Sequence, residues 1–328
     1  MNSDLLRISS SPHIKHEDST RVIMTDVLIA LVPAAIWSVY AFGYRSVTIL
    51  LVSVIFSVLF ELLYQLIMKK PLTVTDFSAT VTGVLLAFCL PVTIPLWMVI
   101  IGDFFAVVIV KQLFGGIGRN IVNPAICARI FLFVSFPGAM SSFVKPESSL
   151  SAFALTLKPS DIDAVASATP LAMLKQGQFP SESLLDLLFG KNAGCIGEVS
   201  VLMLLVGAIY LLVRRVITWH IPVSYILTVA IITYFFPRNS ITIEFMLNEL
   251  LTGGLVLGAF FMATDYVTSP ATPNGRLIYG AGCGVLTVFI RYFGGYPEGV
   301  SFAILIMNLF VWYLDRYTKP VRFGGDPK

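Results

Sequence analysis

The sequence predicts an all-α membrane protein of about ten transmembrane helices, laid out as two inverted five-helix repeats. Three observations carry this expectation. First, 56% of the 328 residues are hydrophobic and only 12% are charged, about half the charged share of a soluble domain, and the mean hydropathy is +0.84. Second, apolar runs of the length a bilayer demands, about 20 residues each, recur along the whole chain. Third, two glycine-rich motifs appear twice in the same order.

The expected spans, with approximate ends, are 22–42, 46–68, 77–92, 95–113, 121–137, 197–214, 219–236, 249–263, 276–293 and 299–317. The third and eighth are short and carry Thr80-Val-Thr-Gly-Val84 and Thr252-Gly-Gly254. Short, interrupted spans at matching places in two halves are the usual pointer to a buried site in transporter-like folds. Thr82-Gly-Val-Leu-Leu-Ala-Phe88 is echoed by Thr252-Gly-Gly-Leu-Val-Leu-Gly-Ala-Phe260, and Leu113-Phe-Gly-Gly-Ile-Gly118 by Tyr292-Phe-Gly-Gly-Tyr-Pro297. An odd number of spans per repeat makes the repeats inverted. The layout expected is an N-terminal segment 1–21, a first repeat 22–137, a polar loop 138–196, a second repeat 197–317 and a tail 318–328.

Orientation follows from Lys and Arg, which favour the cytoplasmic side. With a cytoplasmic N-terminus, 14 of the 22 basic residues fall inside and seven outside, and Arg129 lies within a span. Both termini are then cytoplasmic and the 138–196 loop is external. The polar first 21 residues, followed by an apolar run too long for a signal core, give no expectation of a cleaved leader. A net charge of +3, scattered over short loops, gives nucleic-acid binding no support. Cys89, Cys127, Cys195 and Cys283 are far apart and show no metal-ligand or redox spacing. The three histidines, two of them near the N-terminus, argue against a haem or zinc site.

Four groups of residues suggest chemistry. In Asp163-Ala-Val-Ala-Ser-Ala-Thr-Pro-Leu-Ala-Met-Leu174, small residues leave room beside the backbone. Pro170 biases Thr169 to an extended conformation with an accessible hydroxyl and can open a short helix packed through Leu171, Met173 and Leu174. In Gly115-Gly-Ile-Gly-Arg-Asn-Ile-Val-Asn-Pro-Ala125, glycines permit a tight turn. Asn120 and Asn123, three apart, can face one way, either as donor–acceptor pairs for the edge of a heterocycle or as a helix N-cap. Asp265, followed by Thr268, Ser269 and Thr272, suits an ion site or a structural pairing with Arg276; Asp26, Glu61, Asp76 and Asp103 also fall in or beside spans. Arg129, mid-span, must meet a carboxylate, helix-end carbonyls or a bound phosphate.

Together with Ser10-Ser-Pro-His13, Ile23-Met-Thr-Asp-Val-Leu-Ile-Ala-Leu31 and Arg291-Tyr-Phe-Gly-Gly-Tyr-Pro-Glu-Gly299, these stretches resemble one family over nearly the whole chain. It is the RnfD/NqrB family. Its RnfD members are flavin-bearing membrane components of the Rnf complex, an ion-translocating ferredoxin:NAD oxidoreductase of the bacterial inner membrane. Its NqrB members belong to the Na⁺-translocating NADH:quinone reductase. The resemblance implies a helical bundle like those of urea and ammonium transporters. In the family, the Thr of a Ser/Thr-Gly-Ala-Thr motif carries FMN by a phosphoester made by a flavin transferase. The match here is Ala166-Ser-Ala-Thr169, which implies FMN on Thr169, flanked by Ser167 and Ala168. It departs from the motif at Ala166 and Ser167. A non-covalent riboflavin at the Asn-x-x-Asn-Pro-Ala element implies ring contacts from Asn120 and Asn123.

By the same resemblance, electrons pass from FMN on a neighbouring subunit, through Thr169-linked FMN and riboflavin, to a cytoplasmic NAD-reducing subunit. Na⁺ or H⁺ crosses in step, with Asp265 and Asp103 as ion-path candidates. The chain shows no dinucleotide fingerprint and no Cys cluster, which assigns NAD and iron–sulfur chemistry to partners. Two rival readings of the same residues stand beside this: a non-redox solute channel or secondary transporter, and a scaffold that keeps the fold without cofactor.

Overall fold

The computed structural model describes residues 19–146, 169–177, 180, 183–190, 192–198, 200–238, 242–295 and 298–319. Among these the chain is helical, with no β-strand. Helix α1 (Thr20–Phe42) starts at Ser19, whose Oγ accepts from the Val22 N–H, and stops at Gly43 at φ 67°. That left-handed glycine turns the chain directly into α2 (Tyr44–Ile67). Asp76 then takes the Ser78 N–H at 2.8 Å at the head of α3 (Ser78–Phe88). The third predicted span, 77–92, is thus helical over only the eleven residues Ser78–Phe88, because Pro91 and the turn around it end the helix.

Helix α4 (Leu96–Phe104) continues as a π-helical segment, Phe105–Gln112. Gly115, Gly116 and Gly118, at φ 116°, 91° and 85°, fold the chain back into α5 (Pro124–Ser135). Short helices α6 (Pro137–Met140), α7 (Pro170–Lys175) and α8 (Leu184–Phe189) break up the connection that follows. The second half holds α9 (Val201–Val213), α10 (His220–Phe235) and α11 (Thr242–Leu251). It continues with α12 (Leu255–Leu257) running into a second π segment, Gly258–Met262, and ends in α13 (Pro273–Phe293) and α14 (Val300–Thr318).

Helices α1, α2 and α14 are long and apolar enough to cross a bilayer singly. Ile243–Leu251 and Leu255–Met262 qualify only as a pair bent by 62°. The eighth predicted span, 249–263, is therefore not one short helix. It is a bent unit that begins earlier, broken where Gly253 and Gly254 adopt φ 70° and 65°. Large apolar side chains such as Ile36, Ile55, Val213 and Trp312 stay exposed on the outer faces, as an integral membrane protein requires when lipid replaces water.

Inside, helices meet through small residues. A Cβ on Gly207 of α9 would run into the Ala30 carbonyl oxygen of α1, and Gly280 and Gly284 of α13 sit against Ser224, Tyr225 and Thr228 of α10. These contacts substitute close backbone approach for a hydrophobic driving force that lipid does not supply.

Candidate functional site

Two polar clusters lie toward opposite ends of α13. The first surrounds a cavity of about 770 Å³, whose lining includes Ser78, Thr82, Lys111, Asn120, Asn123 and Asp265 among apolar walls such as Leu85, Ile217 and Phe260. Asn123 caps α5: its Oδ1 accepts from the Ala125 and Ile126 N–H groups at 3.0 and 3.3 Å, and its Nδ2 donates to the Met262 carbonyl at 3.3 Å. The N-cap role is thus realised, and it ties α5 to the end of the second π segment. Asn120 donates to the Val122 carbonyl at 3.2 Å, two residues along its own chain, which leaves its amide at the cavity wall.

Lys111 closes the cavity from the first π segment, with Nζ 2.9 Å from Glu61 Oε1 and 2.6 Å from Ser78 Oγ. Gln112 donates to the same Glu61 oxygen at 2.6 Å. Asp265 does not pair with Arg276. It accepts from Thr268 Oγ1 at 3.0 Å, while Arg276 turns to the Pro270 carbonyl and Thr218. Burial pushes the Asp265 carboxyl up from its ordinary value, and Thr268, the Val267 N–H and Lys111 oppose the rise.

The second cluster surrounds Thr169. Its backbone is extended, at φ −68° and ψ 150°, as a residue before proline should be, and Leu171 and Leu174 are buried beneath it with Met173 half-buried. The hydroxyl departs from expectation: Thr169 is 8% exposed, and its Oγ1 caps α7 by accepting from the Ala172 N–H at 3.2 Å. Capping and the buried leucines draw the side chain inward. Ser167 and Ala168 lie outside the described residues. A recess of about 270 Å³ beside Thr169 is lined by Asn192, Glu198, Thr252, Gly253 and Glu298, and the buried Asn192 Oδ1 has no hydrogen-bond partner among the described residues.

Arg129 stands behind this recess. Its guanidinium pairs with Glu298, reaches Glu198 Oε1 at 3.4 Å and donates to Ser301 Oγ at 2.8 Å. Carboxylates are therefore its partners. The ligand atoms of Cys195, Glu198 and Glu298 lie within 4.8 Å of one another, but the Arg129 guanidinium already serves them as the cation. A second buried pair borders the recess: Arg291 Nη1 meets Glu249 Oε2 at 2.7 Å, and its Nη2 donates to the Thr252 carbonyl at 3.0 Å. Asp103, apart from both clusters, lies within hydrogen-bond distance of Ser53 and Ser57 in the bundle interior.

The sequence assigns Glu198, Glu249 and Lys111 no individual role, and Arg291 and Glu298 enter only as members of the Arg291–Gly299 stretch. The one available signal was that the mid-span Arg129 demanded an acid.

Comparison with known proteins matches residues 7–324 to the NQR2, RnfD, RnfE family. The chain is 46% identical over 327 residues to the D subunit of the Na⁺-translocating ferredoxin:NAD⁺ oxidoreductase complex of Acetobacterium woodii, covering 99% of this chain and 97% of the relative. It is 42% identical over 334 residues to the D subunit of the proton-translocating ferredoxin:NAD⁺ oxidoreductase complex of Clostridium ljungdahlii, covering 99% and 98%. It is 38% identical over 346 residues to the D subunit of the ion-translocating oxidoreductase complex of Vibrio cholerae, covering 97% and 99%. Motifs, helical membrane architecture and end-to-end similarity agree, and the chain belongs to the NQR2, RnfD, RnfE family.

Proposed function

We propose that this chain is the D subunit of an ion-translocating ferredoxin:NAD⁺ oxidoreductase, an electron-transfer subunit that carries FMN on Thr169 and riboflavin in the Asn120 cavity. The observation that carries the reading is the cavity. Its mostly apolar wall with a few convergent polar groups is the usual chemistry of small-molecule sites. Asn120 offers an amide to a ring edge, Lys111 supplies a positive charge held in place by Glu61, and Asn123 fixes the wall between α5 and Met262. Thr169 suits a phosphoester because an ester oxygen still accepts a hydrogen bond, so the α7 cap survives attachment. The flavins supply one-electron transfer when bound.

In this reading the inverted ten-span repeat puts Thr169 outside and the cavity on the cytoplasmic side, with both termini cytoplasmic. The separation fits α13, whose 21 residues rise about 30 Å, near the thickness of a bilayer's hydrocarbon core. Electrons enter from an FMN-bearing neighbouring subunit and leave to an NAD-reducing one, and a flavin transferase loads Thr169. Asp265 and Asp103 are the ion-path candidates. The relatives' oxidoreductase names favour this over a solute channel, and they include both a sodium and a proton translocator.

The test is mass spectrometry of the purified subunit with in-gel flavin fluorescence. An FMN adduct on the 163–175 peptide, absent from Thr169→Val, is expected. An unmodified Thr169 from cells that contain the transferase would remove covalent flavin from the reading.

A further inference from the structure

The interior of the first half holds an acid that neither flavin site uses. Asp103 is fully buried near the end of α4. Its Oδ1 lies 2.7 Å from Ser53 Oγ and 2.9 Å from Ser57 Oγ, both on α2. Ser53 Oγ is also 2.8 Å from the Gly83 carbonyl oxygen of α3. The approach depends on Gly83, since a Cβ there would stand 2.9 Å from the Ser53 carbonyl oxygen. Asp103 Oδ2 has no hydrogen-bond partner among the described residues.

The hydrogens in this cluster can be counted. A serine hydroxyl has one proton, yet Ser53 Oγ contacts two acceptors, Asp103 Oδ1 and the Gly83 carbonyl. If Asp103 is ionised, one of these oxygen pairs has no hydrogen between its members, and Oδ2 carries charge in a buried interior with no donor among the described residues, a costly arrangement. A proton on Oδ1 removes both problems. Asp103 then donates to Ser53, Ser53 donates to Gly83, and Ser57 donates to Asp103.

No opposite charge among the described residues takes the proton's place. On α2, Glu61 stands one turn beyond Ser57 and pairs with Lys111 of the π segment. On α5, Arg129 is committed to Glu198 and Glu298, and Cys127 is a thiol. Gly102, beside Asp103, packs against Leu86 and Leu132.

We propose that Asp103, with Ser53, Ser57 and the Gly83 carbonyl, forms a proton-binding site inside the membrane, holding one exchangeable proton on its carboxyl group. This deepens the ion-path role given to Asp103 above and rests on that reading for its place in transport. The occupancy of the site is readable whether or not flavin is bound. One structural link favours coupling to the cavity: the π segment begins two residues after Asp103 and carries Lys111 in the cavity wall.

The test is infrared spectroscopy of the complex purified from membranes at neutral pH, in H₂O and D₂O, with flavin content measured on the same sample. The expected result is a carboxylic-acid C=O band that shifts in D₂O, is lost in Asp103→Asn and persists in Glu61→Gln. Two serine variants keep the acid: Ser53→Ala removes the oxygen that accepts its proton, so the band should move to higher wavenumber, and Ser57→Ala removes a donor to the hydroxyl oxygen, so the band should also shift. These two variants decide the matter if Asp103→Asn does not assemble. Wild-type and Asp103→Asn spectra that superimpose in this region, or no shift in either serine variant, would overturn the proposal. Replacement of the band by a carboxylate signal on adding Na⁺ would also overturn it, by making the site one for sodium. Normal bands with no flavin would instead count against the cofactor reading alone.

Discussion

Replacing Arg129 with Met should destabilise the protein sharply, and a second substitution should restore much of the loss. Arg129 is 8% exposed in its side chain, Glu198 5% and Glu298 17%, so none of the three is well screened by water. Removing one member of a buried pair costs about 3–5 kcal/mol, because the other charge is left without a partner. Here two carboxylates would be left, with ligand oxygens within 4.8 Å, where like charges repel by about 3 kcal/mol at an effective dielectric of ~20. Glu298→Gln in the Arg129→Met background removes that repulsion and one of the two unpaired charges. Thermal unfolding of the purified complex, followed by tryptophan fluorescence, is the assay. At about 2 °C per kcal/mol, the single variant should fall by roughly 6–10 °C, and the double variant should recover about half. A single variant within a degree or two of wild type, or a double variant no better than the single, would show that Arg129 does not balance these acids.

Two further outcomes follow from the geometry. Gly207→Ala drives a methyl carbon into the Ala30 carbonyl oxygen, so α1 and α9 must separate; a loss of about 1–3 kcal/mol is expected, read as a lower unfolding midpoint, and an unchanged midpoint would contradict the close approach. Asp265 binds its proton more tightly in the folded chain than an unfolded aspartate does, so its contribution to stability falls as pH rises above the ordinary carboxyl value of about 3.9. Asp265→Asn should therefore gain on wild type in unfolding midpoint from acid toward neutral pH, and a constant difference across that range would refute the burial argument.

What the sequence made legible was what depends on neighbours in the chain. Apolar runs located α1, α2 and α14. Asn123 followed by Pro124 marked the start of α5, and Thr169 followed by Pro170 marked α7 and its packing leucines. The bend in the second half was half visible: Thr252-Gly-Gly254 signalled an interruption, but the turn direction and the extension back to Thr242 depend on Arg291 holding Glu249 and the Thr252 carbonyl. Partners remote in sequence were out of reach. Arg129 meets Glu198 and Glu298 at separations of 69 and 169 residues, and no local pattern encodes such a pairing. Thr169 shows the same limit in part: its cap and the buried leucines are local, but the recess beside it is lined by Asn192, Glu198, Thr252, Gly253 and Glu298.

The π segments bear on how this bundle can move. Each accommodates a wider turn than the α-helix around it, so residues beyond it are rotated relative to a regular helix. In Phe105–Gln112 that surplus aims Lys111 and Gln112 together at Glu61. Removing one residue's worth of the surplus would swing them by about 100°, detaching both from the acid and carrying the cation out of the cavity wall. A small slip in the segment's hydrogen-bond register would thus become a large change in what faces the cavity.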